Sequence, residues 1–546
     1  MGAREDGSQM FLQINGITLD VGEKEDGLRV RVSSLLGLPA DAVLSCEILR
    51  RSLDARRTRP PRFVYLIKLG VDADAARRLD EAALPAGVVL TRLPEQVGQK
   101  SAAAVSVPPF RQRLIVVGGG PAGLFAALTL AEKGVSVLLL ERGAPVSRRL
   151  LDVEGFWEKG VLNPESNVCF GEGGAGTFSD GKLTSRVKNP LAARVKRMFV
   201  ECGAPSEILV DAHPHIGTDR LRAVVVAMRR RLVALGGEVR FDARVTDFLV
   251  RKGGIAGVVV NDSEEIAADH LILAIGQSAD DTYGKLHALG VAMAAKPFAI
   301  GLRVEHPQEM INEIQYGRWA GMPALPPAEY FLTAKVAELE RSVYSFCMCP
   351  GGAVIAGSVE AGGVVTNGMS LLARDGFLAN SAVVVNVRTD DMESGDPLAG
   401  LAFRRHWEQK AFVAGGGNYC APAQRLTDFL NARRTLPVGA SYRPGVREAD
   451  LASVLPAFAS AALKRGFAEF ERKMPGFITE EATLIGVETR TSSPVRILRQ
   501  EDGQSISMQG LYPCGEGAGY AGGIISSALD GIRAAENLLF HAAGCR

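Results

Sequence analysis

The chain has 546 residues, 62 Lys and Arg against 61 Asp and Glu, and 47% hydrophobic content. That length supports two or three domains with substantial cores, and the near-neutral balance removes any global pull toward nucleic acid or an anionic membrane surface. The opening MGAREDGSQM lacks the apolar core of a signal peptide, no apolar run reaches membrane-spanning length, and eight scattered Cys form no disulfide framework, so a soluble cytoplasmic protein with reduced thiols is expected.

In chain order, residues 10–95 predict strand Phe11–Leu19, helix Leu28–Leu36, strand Val43–Leu53, strand Arg62–Leu69, helix Ala73–Glu81 and a last strand near Val88–Thr91. A hairpin with packing helices predicts a small N-terminal α+β domain over 1–95, with a ferredoxin-like arrangement as one form of it. Arg50, Arg51, Arg56, Arg57, Arg59 and Arg62 crowd its hairpin and could meet RNA or another anionic partner. Asp54 interrupts the run and no aromatic interleaves it, which favours a solvated hairpin. Residues 96–112 are small, polar and proline-terminated, and read as a linker.

Leu114–Glu141, LIVVGGGPAGLFAALTLAEKGVSVLLLE, reads as strand, glycine turn, helix, strand and acidic stop, the first βαβ unit of a dinucleotide-binding domain. Gly118 permits the turn, Gly120 lets the backbone approach a pyrophosphate, and Gly123 lets the helix pack close to the sheet. Pro121 and Ala122 open a helix whose unpaired N–H groups attract phosphate. Glu141, followed by Arg142, stands where a carboxylate takes a ribose hydroxyl. The domain is expected over 113–284, with a helix at 218–235 for which Thr218 is the N-cap. Residues 285–480 mix β-rich runs (Ala299–Val304, Ala353–Ser358, Ala382–Val387) with helices (Leu401–Ala414, Ala459–Met474) and predict an inserted substrate domain. Residues 481–546 return to the dinucleotide fold. No second strand–GxGxxG–helix unit is apparent.

Two later segments bear on which dinucleotide binds. LYPCGEGAGYAGGIISSALDGIRAAENL at 511–538 resembles the C-terminal FAD motif of two-dinucleotide-type flavoproteins. That implies Gly515 and Glu516 near the ribityl–phosphate region, and Gly523 and Ile524 opening a helix whose positive end tunes the flavin. IAGVVV and HLILAIG within 255–276 resemble the β-meander and the strand leading back to an FAD domain, with Ala274 and Gly276 in the diagnostic place; Val245 is counted with them as cofactor-binding. The loop GEGGAGTFSDGKL at 171–183 is similar to one that, in related flavoproteins, wraps the pyrophosphate and passes the isoalloxazine. Gly173, Gly174, Gly176 and Gly181 allow close backbone approach there, while Thr177, Ser179, Asp180 and Lys182 add hydrogen-bonding groups. FAD is therefore the expected cofactor.

That loop, with SFCMCPGG at 345–352, RRSLDARR at 50–57, HPHIGTDRL at 213–221, NGMS at 367–370 and APAQRLTDFL at 421–430, resembles the uncharacterised FAD-dependent dehydrogenase family of bacteria and plastids, NAD(P)/FAD-dependent oxidoreductases with an N-terminal α+β domain. The resemblance covers almost the whole chain. It implies an α/β fold: a Rossmann-like, glutathione-reductase-like FAD/NAD(P)-binding domain with an inserted α+β substrate domain and a small N-terminal α+β domain. It implies redox activity and supplies no substrate. The run Gln277–Asp281 departs from the pattern, which has a His and an Arg there.

Lys182, Cys347 and Cys349 are the catalytic candidates. Lys182 would place positive charge beside reduced flavin. Positions i and i+2 of a strand share a face, so both thiols could face one pocket as a redox dithiol. Extended i,i+2 Cα atoms sit about 6.5–7 Å apart, near the limit for a disulfide, so two buried cysteines bordering a pocket is the plainer reading. Asp211, His213 and His215 have a spacing that could hold a metal, but no second ligand cluster accompanies them and none is expected. The expected function is transfer of a hydride or two electrons between an unknown small organic substrate and flavin. NAD(P)H would have to dock transiently over the flavin, and a protein or quinone electron partner stays open. Two alternatives remain: a flavin-dependent thiol–disulfide oxidoreductase using Cys347 and Cys349, and a flavin-containing RNA-binding or assembly protein acting through residues 1–95.

Overall fold

A computed structural model describes residues 10–39, 41–56, 59–81, 87–93, 113–184, 189–433 and 439–542. The linker read at 96–112 lies outside them. The chain packs as two compact units, the smaller drawn from 1–106, 205–214 and 315–328 and the larger from the rest.

The smaller unit holds β1 (Met10–Asp20), α1 (Leu28–Leu35), β2 (Val43–Asp54), β3 (Arg62–Val71), α2 (Ala73–Glu81) and β4 (Val89–Arg92). The strands form an antiparallel sheet in the order β2-β3-β1-β4, that of a split βαβ unit. Alternation decides the buried face: Leu12, Ile14, Ile17 and Leu19 of β1 join Tyr65, Ile67 and Leu69 of β3 in one core. A bulge between Asn15 and Ile17 shifts the register, with Gly16 at φ 93°, a backbone state that side chains rarely adopt. The sequence reading assigned 205–214 to the dinucleotide domain. Instead this segment extends the edge of β2: Arg51 N–H donates to Val210 O and Ala212 N–H donates to Arg51 O, both at 2.8 Å. An unpaired strand edge gains hydrogen bonds this way, which no local sequence pattern announces.

The larger unit opens with β5 (Leu114–Val117), α3 (Pro121–Ala131) and β6 (Val137–Leu140). Then come β7 (Glu238–Arg240), an antiparallel meander of β8 (Val245–Arg251), β9 (Gly254–Val260) and β10 (Glu264–Ala267), and finally β11 (His270–Leu273). Strand Leu511–Pro513 returns from far along the chain to complete a parallel sheet, in the order 511–513, β11, β5, β6, β7. All four residues of β5 are buried, as a strand covered on both faces requires. The helix Thr218–Ala234 begins where expected, but Gly217 is its N-cap; the Thr218 hydroxyl donates instead to Thr177 O at 2.8 Å.

A second, mainly antiparallel sheet follows the order Thr333–Val336, Arg341–Cys349, Leu378–Val387, Phe298–Pro307, Thr483–Glu488, Ala421–Arg425, Val446–Glu448. Helix Ala457–Lys473 packs on it. The boundary expected at 480 falls short, because strand Thr483–Glu488 pairs with Phe298–Pro307 and Ala421–Arg425 in this sheet. Its six residues are all buried, so the continuous run fits either neighbour and only pairing decides. Among the described residues no helix is long and apolar enough to cross a membrane.

Candidate functional site

The carboxyl ends of β5, β11 and strand Leu511–Pro513 open on one cavity of about 300 Å³. Doubly wound sheets bind ligands at such ends. Its floor is backbone. Gly118 sits at φ 103°, and a Cβ there would lie 2.3 Å from Ala274 O. A Cβ on Gly174 would lie 3.0 Å from the Cα of Gly120, so the two glycine loops leave no room for side chains between them. Pro121, Ala122, Gly176 and Gly181 complete this part, where the amino end of α3 presents its free N–H groups.

Four expected cofactor residues lie behind the lining rather than in it. A Cβ on Gly123 would meet Gly118 O at 1.9 Å, so this glycine serves helix–strand packing, as expected. Gly173, at φ 83°, turns the loop, and the Thr177 hydroxyl donates to Glu172 O at 2.9 Å. Gly515 N–H donates to Asp530 Oδ2 at 2.7 Å.

Glu141 is buried at the cavity wall, and its carboxylate accepts three backbone N–H groups: Gly119 at 2.6 Å, Gly143 at 2.9 Å and Gly171 at 2.9 Å. The residue expected to hold a ribose hydroxyl is thus first a tie between loops. Three of its roughly four acceptor positions are filled, leaving one for a ligand hydroxyl. Arg142 lines the same wall but is held by Glu165 at 2.8 Å and Asp281 at 3.0 Å, with its guanidinium 4.1 Å from the Phe170 ring centroid. Val245, Ala274 and Gly276 line it as well.

Glu516 also lines the cavity and accepts from Gln277 Nε2 at 2.9 Å; Gln277 Nε2 reaches Arg490 O at 2.8 Å too. Burial raises the Glu516 pKa to about 7, against the opposing pull of Lys296 and of the Gln277 hydrogen bond. Tyr283, which the sequence reading missed, directs its hydroxyl at Gly517 O at 2.6 Å, with Gly276 O at 3.2 Å. It therefore joins the two loops that carry Gln277 and Glu516. Gly523 and Ile524 line the cavity where helix Ile524–Ala542 begins.

The far wall comes from the second sheet, through Arg303, Phe346, Cys349 and Glu488, and from a separate two-stranded hairpin, Ala353–Ala356 with Thr366–Met369, through Asn367 and Gly368. Arg303 and Glu488 form a buried bidentate pair, Nε to Oε2 at 3.0 Å and Nη2 to Oε1 at 2.6 Å, with Asn380 accepting from Nη1 at 2.9 Å. The one available signal was a charge inside the continuously buried run Phe298–Val304. Lys182 reaches this wall: its ammonium donates to Met348 O and lies 3.5 Å from Glu329 and 3.8 Å from Asp180. Asp180 is buried and paired with Arg374, and the Ser179 hydroxyl donates to Gly176 O at 2.8 Å.

Cys349 is buried at the cavity, while the Cys347 side chain lies outside the described residues. The strand register shifts between Phe346 and Cys349. Cys514 lines the cavity too, and burial pushes its thiol well above the ordinary value. The third spacing dissolves into separate contacts. Asp211 pairs with Arg51 at 2.8 Å, the His215 ring bonds Leu372 O at 3.2 Å, and the described residues contain no group of three His, Cys, Asp or Glu placed to hold a metal ion. In the arginine hairpin, Asp54 holds Arg56 at 2.8 Å, Arg59, and Arg62 at 4.0 Å, and Arg51 is shared by Glu25 and Asp211; Arg57 lies outside the described residues.

A cradle of glycine backbone, a helix amino end beside it and a carboxylate with one acceptor position left fit a bound dinucleotide. Fold and site together define a mixed α/β FAD-binding protein of the oxidoreductase type. Family models match residues 113–150 as an FAD binding domain, 297–491 as the C-terminal-domain-like part of FAD-dependent proteins, and 11–69 as a domain of unknown function. An uncharacterized protein of Clostridium beijerinckii is 42% identical over 539 residues, 97% of this chain and 99% of its own length. The chain belongs to that uncharacterised family of FAD-dependent proteins, and its cofactor is FAD.

Shorter matches run to digeranylgeranylglycerophospholipid reductase 1 of Methanococcoides burtonii, 30% identical over 153 residues (27% of this chain, 32% of that one). Aklavinone 12-hydroxylase of Streptomyces peucetius subsp. caesius is 31% identical over 150 residues (26% and 30%). Among solved structures, the flavin-dependent brominase Bmp2 aligns over 79% of this chain and 80% of its own at 14% identity, with a TM-score of 0.36.

Proposed function

We propose that the protein is an FAD-dependent dehydrogenase or reductase of glutathione-reductase-like organisation, acting on a small organic substrate admitted beside the second sheet. One observation carries the reading. The glycine cradle and the polar wall of Arg303, Asn367 and Glu488 line a single cavity, so a cofactor and a substrate can share it. The partial matches to a reductase and a hydroxylase agree with redox work.

Bound FAD supplies two-electron redox chemistry. Gly118, Gly120 and the amino end of α3 bind its phosphates, and the remaining acceptor position of Glu141 takes a sugar hydroxyl. Glu516, braced by Gln277, holds a proton on its carboxyl near neutral pH. Lys182 keeps positive charge at the cavity, fixed by Met348 O. Phe346 and the buried Cys349 exclude water from the far wall. NAD(P)H reaches the site only as a transient donor, since no second nucleotide-binding motif stands in the sequence.

The test is anaerobic titration of the yellow holoprotein with NADPH and NADH, following flavin absorbance. Bleaching by one nucleotide supports a pyridine-nucleotide-driven reductase. A protein that neither bleaches removes NAD(P)H and leaves dehydrogenation or another electron donor. A preparation that takes up no FAD on reconstitution overturns the proposal.

A further inference from the structure

Resting on that oxidoreductase reading, we infer that the substrate is a flat, apolar molecule that offers a carbonyl-type oxygen, ketone or carboxylate, to Asn367 and Lys182.

Every carboxylate oxygen of Asp180 and Glu488 already holds a donor. Asp180 receives both the Nε (3.3 Å) and Nη2 of Arg374. Glu488 receives Arg303 through both oxygens, and Oε2 also accepts the Thr366 hydroxyl at 2.9 Å. The Thr491 hydroxyl donates to Ala299 O at 2.9 Å and accepts Ala299 N–H at 3.2 Å. A substrate group that must donate would find no carboxylate on this wall without a partner of its own.

Donors are left over. Asn367 Oδ1 accepts the Gly368 N–H at 2.8 Å, which fixes which end of the amide is oxygen. Its NH₂ end has no protein acceptor among the described residues, and Asn367 is half-buried at the cavity. Lys182 carries three N–H bonds; Met348 O takes one, and Glu329 at 3.5 Å and Asp180 at 3.8 Å are loose partners that a ligand oxygen can replace. Half-buried donors at a cavity wall favour a ligand that brings an acceptor, because a ligand lacking one displaces their water and puts nothing in its place. Phe346 and Cys349 on the same wall give the rest of that ligand an apolar, ring-sized neighbour.

The probes are benzoate, acetophenone and benzylammonium, titrated into the oxidised holoprotein at pH 7.5 while the flavin absorbance spectrum is followed. They share a ring and differ in the group presented, so benzoate against acetophenone separates a carboxylate from a neutral carbonyl. We expect one or both to bind at least about tenfold more tightly than benzylammonium. Asn367→Asp, a near-isosteric change from donor to charged acceptor, should reverse that order while FAD stays bound. If that variant loses FAD, Lys182→Met serves, and should weaken the preferred oxygen ligand without improving benzylammonium. Equal or tighter binding of benzylammonium to the natural protein, no binding by any probe, or an order that no variant alters overturns the inference. Bleaching by NAD(P)H together with any of these outcomes would sink the substrate class alone.

Discussion

Arg303→Met tests the wall of the cavity most severely. The guanidinium is 2% exposed, the Glu488 side chain 6%, and the pair closes two charge-assisted hydrogen bonds with a third to Asn380. Neither charge has enough solvent to screen it. Removing one partner strands the other, and broken buried pairs cost about 3–5 kcal/mol, most of it the unpaired charge. Space adds to the loss. A Cβ on Gly368 would lie 2.2 Å from Arg303 Nη1, so the guanidinium fills a volume that methionine leaves partly empty. Urea unfolding, read together with the fluorescence of released FAD, should place Arg303→Met about 3–5 kcal/mol below the natural protein. The double variant Arg303→Met with Glu488→Met removes both charges and should recover at least about half of that. A single variant within about 1 kcal/mol of the natural protein, or a double variant as costly as the sum of the singles, would refute the reasoning.

Gly118→Ala puts a Cβ 2.3 Å from Ala274 O at φ 103°, and should weaken FAD binding to the apoprotein by more than about tenfold in a fluorescence titration; unchanged affinity would mean the cradle is not where the cofactor sits. Glu516 has a native pKa of about 7 against an ordinary 4.5, so the folded state keeps a proton that the unfolded state releases between those values. Its stabilising contribution is therefore full below about 4.5 and lost as pH rises through about 7. Glu516→Gln should flatten the corresponding fall in the apoprotein's urea midpoint, and a slope that survives it would place the titration elsewhere. Cys347→Ser and Cys349→Ser are each expected to keep reductive turnover within about twofold, since i,i+2 positions of an extended strand sit near the limit for a disulfide. Loss of turnover in either would restore the dithiol relay.

Much of this was legible because it is local. The glycine turn at Gly118–Gly123 carries its own conformational demands, and the alternation in β1 and β3 names the buried face of the small unit residue by residue. Chain order also exposed the return of strand Leu511–Pro513. What could not be read is what long-range pairing decides. Strand Thr483–Glu488 is buried throughout and joins whichever sheet offers it partners. The segment 205–214 leaves its sequence neighbours because β2 has an open edge. Arg303, Asn367 and Glu488 line one cavity from distant strands, and apart from the charge of Arg303 inside its buried run nothing in their own segments marks them. Glu141 was found for a sound reason and given too narrow a task, since spacing cannot count the N–H groups that three turns aim at one carboxylate.

The parallel sheet also carries a schedule. Strand Leu511–Pro513 covers β11, and Gly531 packs so closely against α3 that a Cβ there would lie 2.0 Å from Ala122 O. On a ribosome, β5, α3 and β11 emerge hundreds of residues before the strand and helix that seal them. Until then β11 has a bare edge open to any passing strand. The cofactor cradle is thus finished by a segment made long after the glycine turn, and flavin uptake by a nascent chain would report the moment of completion. A premature stop before residue 511 should yield a protein that is colourless and prone to aggregate, even with every residue of the glycine motif intact.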